Sequence, residues 1–395
     1  MIAYDRKYLR NHAVVSQSQL WFAKKLLSKD QILMIIRKYI VGFYLPKFFV
    51  RICLFVFTGI GVFTFYGLLG LLFSIFDTNN YALAGFTFFY SLVCLFVLEI
   101  GIKYRGIFRS GVDDFLLYAV ISFMVVSVGI AIDYNFNLLG YNTIGICIVA
   151  ELILVGAVLR FLDRLVTCLL VLNTYLIVFL MVLKIGPIAK QIMPFVLMVL
   201  SCPIYFYSKK VSRLEQSFFW KQCLNVFEWI SLIVFYLSGN YFVVRESGVA
   251  FFELKLVQGQ DIPFALFFYF FTANIPLVYV FFGLKNKDRG LLWVGLILVV
   301  IAALSFKHYF SLGHPEYVLS LAGLILIVIA YFSYKFLRIP RFGITINEDA
   351  YSSDFLKANV EALVIAQSLG NQTPSIAPKE FGGGDFGGGG SGGRF

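Results

Sequence analysis

Long apolar runs alternate along this chain with short polar stretches, many of them basic. The most sustained run, residues 52–76 (ICLFVFTGIGVFTFYGLLGLLFSIF), holds 25 residues without a charge, enough to cross a bilayer as a helix with some tilt. Nine more runs follow, at 81–102, 115–132, 139–159, 165–183, 192–207, 224–243, 262–283, 291–306 and 318–334. The pattern therefore predicts an all-α, polytopic transmembrane bundle of about ten spans over residues 49–337.

Residues 1–48 have a different period. Segments 18–27 (SQLWFAKKLL) and 29–40 (KDQILMIIRKYI) read as amphipathic helices joined at Ser28, and Ser28 with Gln31 forms an S-x-x-Q capping box. The apolar set Leu20, Trp21, Leu27, Ile32, Leu33, Ile36 and Tyr39 of this helical hairpin needs a cover, which the opposing helix, the membrane surface or another protein would supply, and for a protein cover Trp21, Ile32 and Ile36 are the expected partner-binding residues. No short apolar segment of signal-peptide type precedes the first run, which is expected to be retained. Past the last run, Pro340 ends the helix, residues 354–369 read as an amphipathic helix capped by Ser352 or Ser353 and stopped by Gly370, and 371–395 is a flexible tail. Its end, FGGGDFGGGGSGGRF, has nine glycines in fifteen residues, with Phe381, Phe386 and Phe395 as its adhesive points.

Charge fixes the expected orientation. All but five of the 33 basic residues fall in segments that lie on one side when the span count is even and both termini are cytoplasmic. The net charge of +11 is thus spread as topology signals rather than gathered on one face, and nucleic acid is excluded as a partner. The bilayer is the expected surrounding. Six cysteines sit in or beside apolar runs without ligand-like spacing and read as small core residues.

Candidate chemistry is sparse, and no cofactor is expected. Glu99, Glu151 and Glu228 lie in or near spans, where a charge costs at least about 2.5–3.5 kcal/mol, which marks them as ion or proton sites. Glu99 is expected to reach cytoplasmic water or pair with Lys103, and Glu228 to reach water or pair with Lys221, whereas Glu151 lies deep within its span. His308, His314 and Glu316 form a weak metal set in an outer loop, and Asp163 in RFLDR neutralises its arginine neighbours. An outer loop at 245–261 is expected to form a short strand or an interfacial helix. Gly59 and Gly61 in the first span, and Pro203 in the sixth, fit the interrupted helices of a transporter with five-plus-five inverted repeats.

The N-terminal order L-W-x5-L-S-K-D-Q-I-x6-Y, followed by a basic flank and many spans, resembles a domain-of-unknown-function family of bacterial polytopic membrane proteins. Separately, the tail resembles the glycine-rich C-termini of membrane-anchored TPM-domain proteins. These resemblances imply a multi-pass protein of the bacterial inner membrane working beside partners, and they supply no catalytic residues. The leading expectation is a non-enzymatic scaffold or accessory subunit that binds partners through cytoplasmic termini. The alternatives are a secondary transporter with Glu151 as coupling carboxylate and a membrane-embedded transferase with an outer-face site.

Overall fold

The computed structural model describes residues 2–24, 26–75, 79–132, 141–186, 189–252 and 261–309, together with Leu324, Ile327, Tyr331 and Lys335. The chain divides into two units, Met1–Leu9 with Gly42–Glu348 and Arg10–Val41 with Asp349–Phe395.

The second unit contains most of α1 (Arg6–Ala23) and all of α2 (Lys29–Lys38). The Gln31 N–H donates to Ser28 Oγ at 3.3 Å and the Ser28 N–H to Gln31 Oε1 at 2.8 Å, so the capping box forms and satisfies two end donors of α2. Trp21, Leu27 and Ile35 bury against Val14 and Tyr39. Along α2 two apolar stripes lie side by side: Ile32 and Ile35 are buried, whereas Leu33 and Ile36 are 43% and 39% exposed. The expected apolar set therefore splits, with Trp21, Leu27 and Ile32 inside and Leu20, Leu33 and Ile36 outside. α1 also begins well before residue 18, since nothing in residues 6–17 breaks a helix.

The first unit holds α3 (Phe48–Leu72), α4 (Asn80–Arg105), α5 (Val112–Ile132), α6 (Tyr141–Phe161), α7 (Arg164–Leu183), α8 (Ala189–Ser212), a 3₁₀ turn (Glu215–Trp220), α9 (Lys221–Gly239), α10 (Tyr241–Phe252), α11 (Ala265–Lys285) and α12 (Arg289–Tyr309). Eight of these, α3–α9 and α11, are long and apolar enough to cross a membrane, and α12 adds a shorter apolar segment, Arg289–Ser305. The protein is a multi-pass integral membrane protein, built of helices with no strand among the described residues. The tenth expected span, the helix at 354–369 and the tail lie outside the described residues.

Consecutive helices pair: α4 with α5, α6 with α7, α8 with α9 and α11 with α12. α9 is the hub, touching α7, α8, α11 and α12, and α3 packs on α5. Gly111, at φ 95°, lets α5 begin against the α3 backbone: a Cβ there would lie 2.2 Å from the Arg51 carbonyl oxygen. Only glycine fits that approach.

Two expectations about helix continuity are corrected. α3 runs unbroken through Gly59 and Gly61, and α8 through Pro194 and Pro203, so neither the first nor the sixth span is interrupted. The break falls instead in the expected seventh span, at Asn240, between α9 and α10. Its buried side chain donates to Tyr236 Oη (2.9 Å) and Ser305 Oγ (3.2 Å), while its Oδ1 accepts from the Val243 N–H. The Tyr241 N–H goes to Thr272 Oγ1. Side chains thus satisfy the backbone groups that the break releases. α10 also gives residues 245–252 a helical, not a strand, conformation.

Candidate functional site

The connections 106–111, 162–163 and 213–220, the N-terminus of α3 and residues 2–5 meet at one end of the first unit, where most of the basic residues lie. Their charged side chains form a single lattice. Asp113, in the first turn of α5, is buried and reaches back to the preceding turn. Its Oδ1 accepts from the Ser110 N–H (2.7 Å) and Oγ (2.8 Å), and its Oδ2 from the Arg109 N–H (2.7 Å) and Tyr4 Oη (3.4 Å). Asp114 accepts two N–H groups of Arg51, at 2.9 and 2.6 Å, tying α3 to α5. Asp163 caps α7 through the Val166 N–H and accepts from Tyr118 Oη. Burial first, and Asp113 second, push the Tyr4 phenol well above its ordinary pKa, so it stays a donor.

Arg109 and Arg164 complete the lattice from two tight turns. Arg109 itself has φ 51°, and Leu162, two residues before Arg164, has φ 57°. Both guanidinia converge on one neutral acceptor, Gln222 Oε1, at 2.5 Å from Arg109 and 3.1 Å from Arg164. Burial, with Arg164 as the next cause, lowers the pKa of Arg109.

A second polar group links α8, α9 and α12 near the same end. Lys209 Nζ lies 2.7 Å from Asp288 Oδ2 and also donates to Tyr205 Oη, and Ser212 donates to Glu228. Burial raises the Asp288 pKa, yet hydrogen bonds from Lys209 and from the N–H groups of Leu291 and Gly290 outweigh it and hold the carboxyl below the usual range. Glu228 thus has a partner on α8, the Ser212 hydroxyl. Glu99 pairs with Arg160 of α6 at 2.5 Å rather than with Lys103.

Glu151 stands at the midpoint of α6. Its two oxygens accept from Asn173 Nδ2 (2.7 Å) and Thr174 Oγ1 (2.5 Å) of α7, and Asn173 also donates to the Cys147 carbonyl. A polar side-chain pair on α7 thus faces this mid-helix carboxylate, which stands between exposed Ile148 and Leu152 on its own helix. The structure does not bring Glu99, Glu151 and Glu228 into one site, since each has partners on a different helix pair.

Among the described residues no group of three His, Cys, Asp or Glu side chains is placed to hold a metal. His314, Glu316 and the side chain of His308 lie outside them, as do Phe381, Phe386 and Phe395. Asp113 and Asp114 are not among the expected site residues, because the apolar run that defines the span starts at Phe115. The available signal was the paired acids DD heading an apolar run with Arg109 close upstream. Comparison of the chain with protein-family models, with curated proteins and with solved structures finds no match.

Proposed function

We propose that this protein is a non-enzymatic membrane scaffold or accessory subunit whose α1–α2 hairpin docks a protein partner. One observation carries the reading: with Trp21, Leu27 and Ile35 already buried in the hairpin's own core, α2 still shows a second apolar stripe, Leu33 and Ile36, to its surroundings. Arg37 and Lys38 flank it, which favours a partner with an acidic rim. The partner-binding set expected at Trp21, Ile32 and Ile36 becomes Leu33 and Ile36 here, with the first two supporting them from behind. Phe381, Phe386 and Phe395 of the tail are a further docking element in this proposal. With the basic end toward the cytoplasm, as the positive-inside rule requires, the hairpin and both termini lie inside, in keeping with the resemblance to bacterial inner-membrane proteins.

Gentle-detergent purification of the full chain, compared with Leu33→Asp/Ile36→Asp and with truncation after Gly370, tests this. The double variant is expected to lose its co-purifying protein while keeping its own yield, because the changed side chains are outside the hairpin core. Retention of the same partner by both altered proteins would sink the proposal.

Glu151 favours a second reading, an ion-coupled transporter. A mid-span carboxylate that keeps both oxygens on Asn173 and Thr174 is what a proton or cation site needs before its ligand arrives. Glu151→Gln preserves the shape and an acceptor oxygen for Asn173, while Thr174 can accept from the new amide and donate to the Leu170 carbonyl, so the protein is expected to fold as before and to lose pH-dependent uptake in proteoliposomes. Unchanged flux in that variant would remove Glu151 from any coupling role. The unbroken first and sixth spans give no support to the five-plus-five arrangement.

A further inference from the structure

Arg109 and Arg164 are the feature of the charged lattice that its own carboxylates leave unmatched. Asp114 is committed to Arg51, Asp113 to two N–H groups and two hydroxyls, and Asp163 to the cap of α7 and to Tyr118. No ion pair joins Arg109 or Arg164 to an acid among the described residues. The two guanidinia instead share a single amide oxygen, that of Gln222, although together they offer about ten N–H donors. Asp114 and Asp163 lie near enough to temper the crowding of Arg109 by Arg164 and Arg51 without meeting its donors.

Position is the second observation. Arg109 lies in the connection from α4 to α5, Arg164 is the first residue of α7, and Gln222 is the second of α9. All three therefore stand where helices leave the hydrocarbon, at headgroup depth. Phe108 supports the Arg109 guanidinium from below, its ring centroid 5.2 Å away, which fixes the orientation of the fork. The left-handed backbone at Arg109 is held by the bond from its N–H to Asp113. Arg109 is thus held in place from its backbone and its ring contact, while the exposed Arg164 is drawn to it through Gln222.

We propose that Arg109, Arg164 and Gln222 form a phosphate-binding cradle, in which each guanidinium offers a fork to phosphate oxygens and Gln222 holds the two forks together. The phosphate belongs to a phospholipid headgroup or is a free anion, and these sources are separable. The full chain, stripped of lipid in detergent, would be titrated in one arm with short-chain phosphatidylglycerol and in the other with inorganic phosphate. Thermal stabilisation and native mass spectrometry would read the binding.

Saturable binding in either arm, weakened about tenfold or more in Arg109→Gln/Arg164→Gln, is expected, and the arm in which it occurs names the source. Arg105→Gln/Arg213→Gln removes two positive charges from exposed positions at the same end, and it should bind as the unaltered chain does. Where the double glutamine variant does not fold, Arg109→Lys/Arg164→Lys carries the test, because it keeps the charge and loses the forks. Equal binding by the altered and unaltered cradles, an equal loss in the Arg105/Arg213 variant, or no binding in either arm would overturn the assignment.

Discussion

Replacing Asp113 with alanine is expected to cost about 3 kcal/mol or more and to destabilise the basic end of the bundle first. The carboxylate accepts four hydrogen bonds, two of them from backbone N–H groups in a turn that carries Arg109 at positive φ. Alanine would leave those buried donors without acceptors, at roughly 1–3 kcal/mol for each group that water does not reach. Denaturant unfolding of the purified chain, beside hydrogen exchange of residues 106–115, would measure it. Asn at the same position keeps an oxygen for part of the turn and should fall between. Wild-type stability in the alanine variant would show that water replaces the carboxylate without loss.

Arg51→Met should be nearly as damaging, for a different reason. Asp114 is buried, and the two Arg51 bonds at 2.9 and 2.6 Å are its counter-charge. Removing one partner of a fully buried pair costs about 3–5 kcal/mol, and with Arg51 41% exposed the loss here is expected at the low end of that range, from the carboxylate left without its counter-charge. Arg51→Met/Asp114→Asn removes both charges, and is expected to be more stable than Arg51→Met alone. Unfolding of the four proteins in a double-mutant cycle checks this. Additive losses would mean that Asp114 does without Arg51, through another cation or through water.

The spans were legible because hydrocarbon demands long uncharged helices whatever the fold around them, and the eight described spanning helices lie where apolar runs predict. The capping box at Ser28 was legible too, since both partners lie within one turn. Partnerships across the bundle were not. Glu99 has Lys103 one turn away in sequence, yet Arg160 comes closer because α4 and α6 end at the same level. Ile35 and Ile36 satisfy the same helical period, and only the position of α1 decides which faces inward. The break at Asn240 carries no proline; it depends on the closeness of Phe271 to Gly239, where a Cβ would lie 2.3 Å from the ring, and on Ser305, 65 residues further along.

Gly111 has a consequence for the lipid around the protein. α3 is 25 residues long, about 37 Å at the usual rise, and its outer side chains, Phe57 and Leu71 among them, are bare. The backbone contact at Gly111 pins it lengthwise, so it does not slide to suit a thinner or thicker membrane. Any mismatch with a hydrocarbon layer of about 30 Å then falls on the lipid, which must thicken or tilt its chains along this one side. The length of α3 sets the membrane thickness that suits the protein, and a glycine at the edge of the bilayer sets the depth at which that length is presented to the lipid.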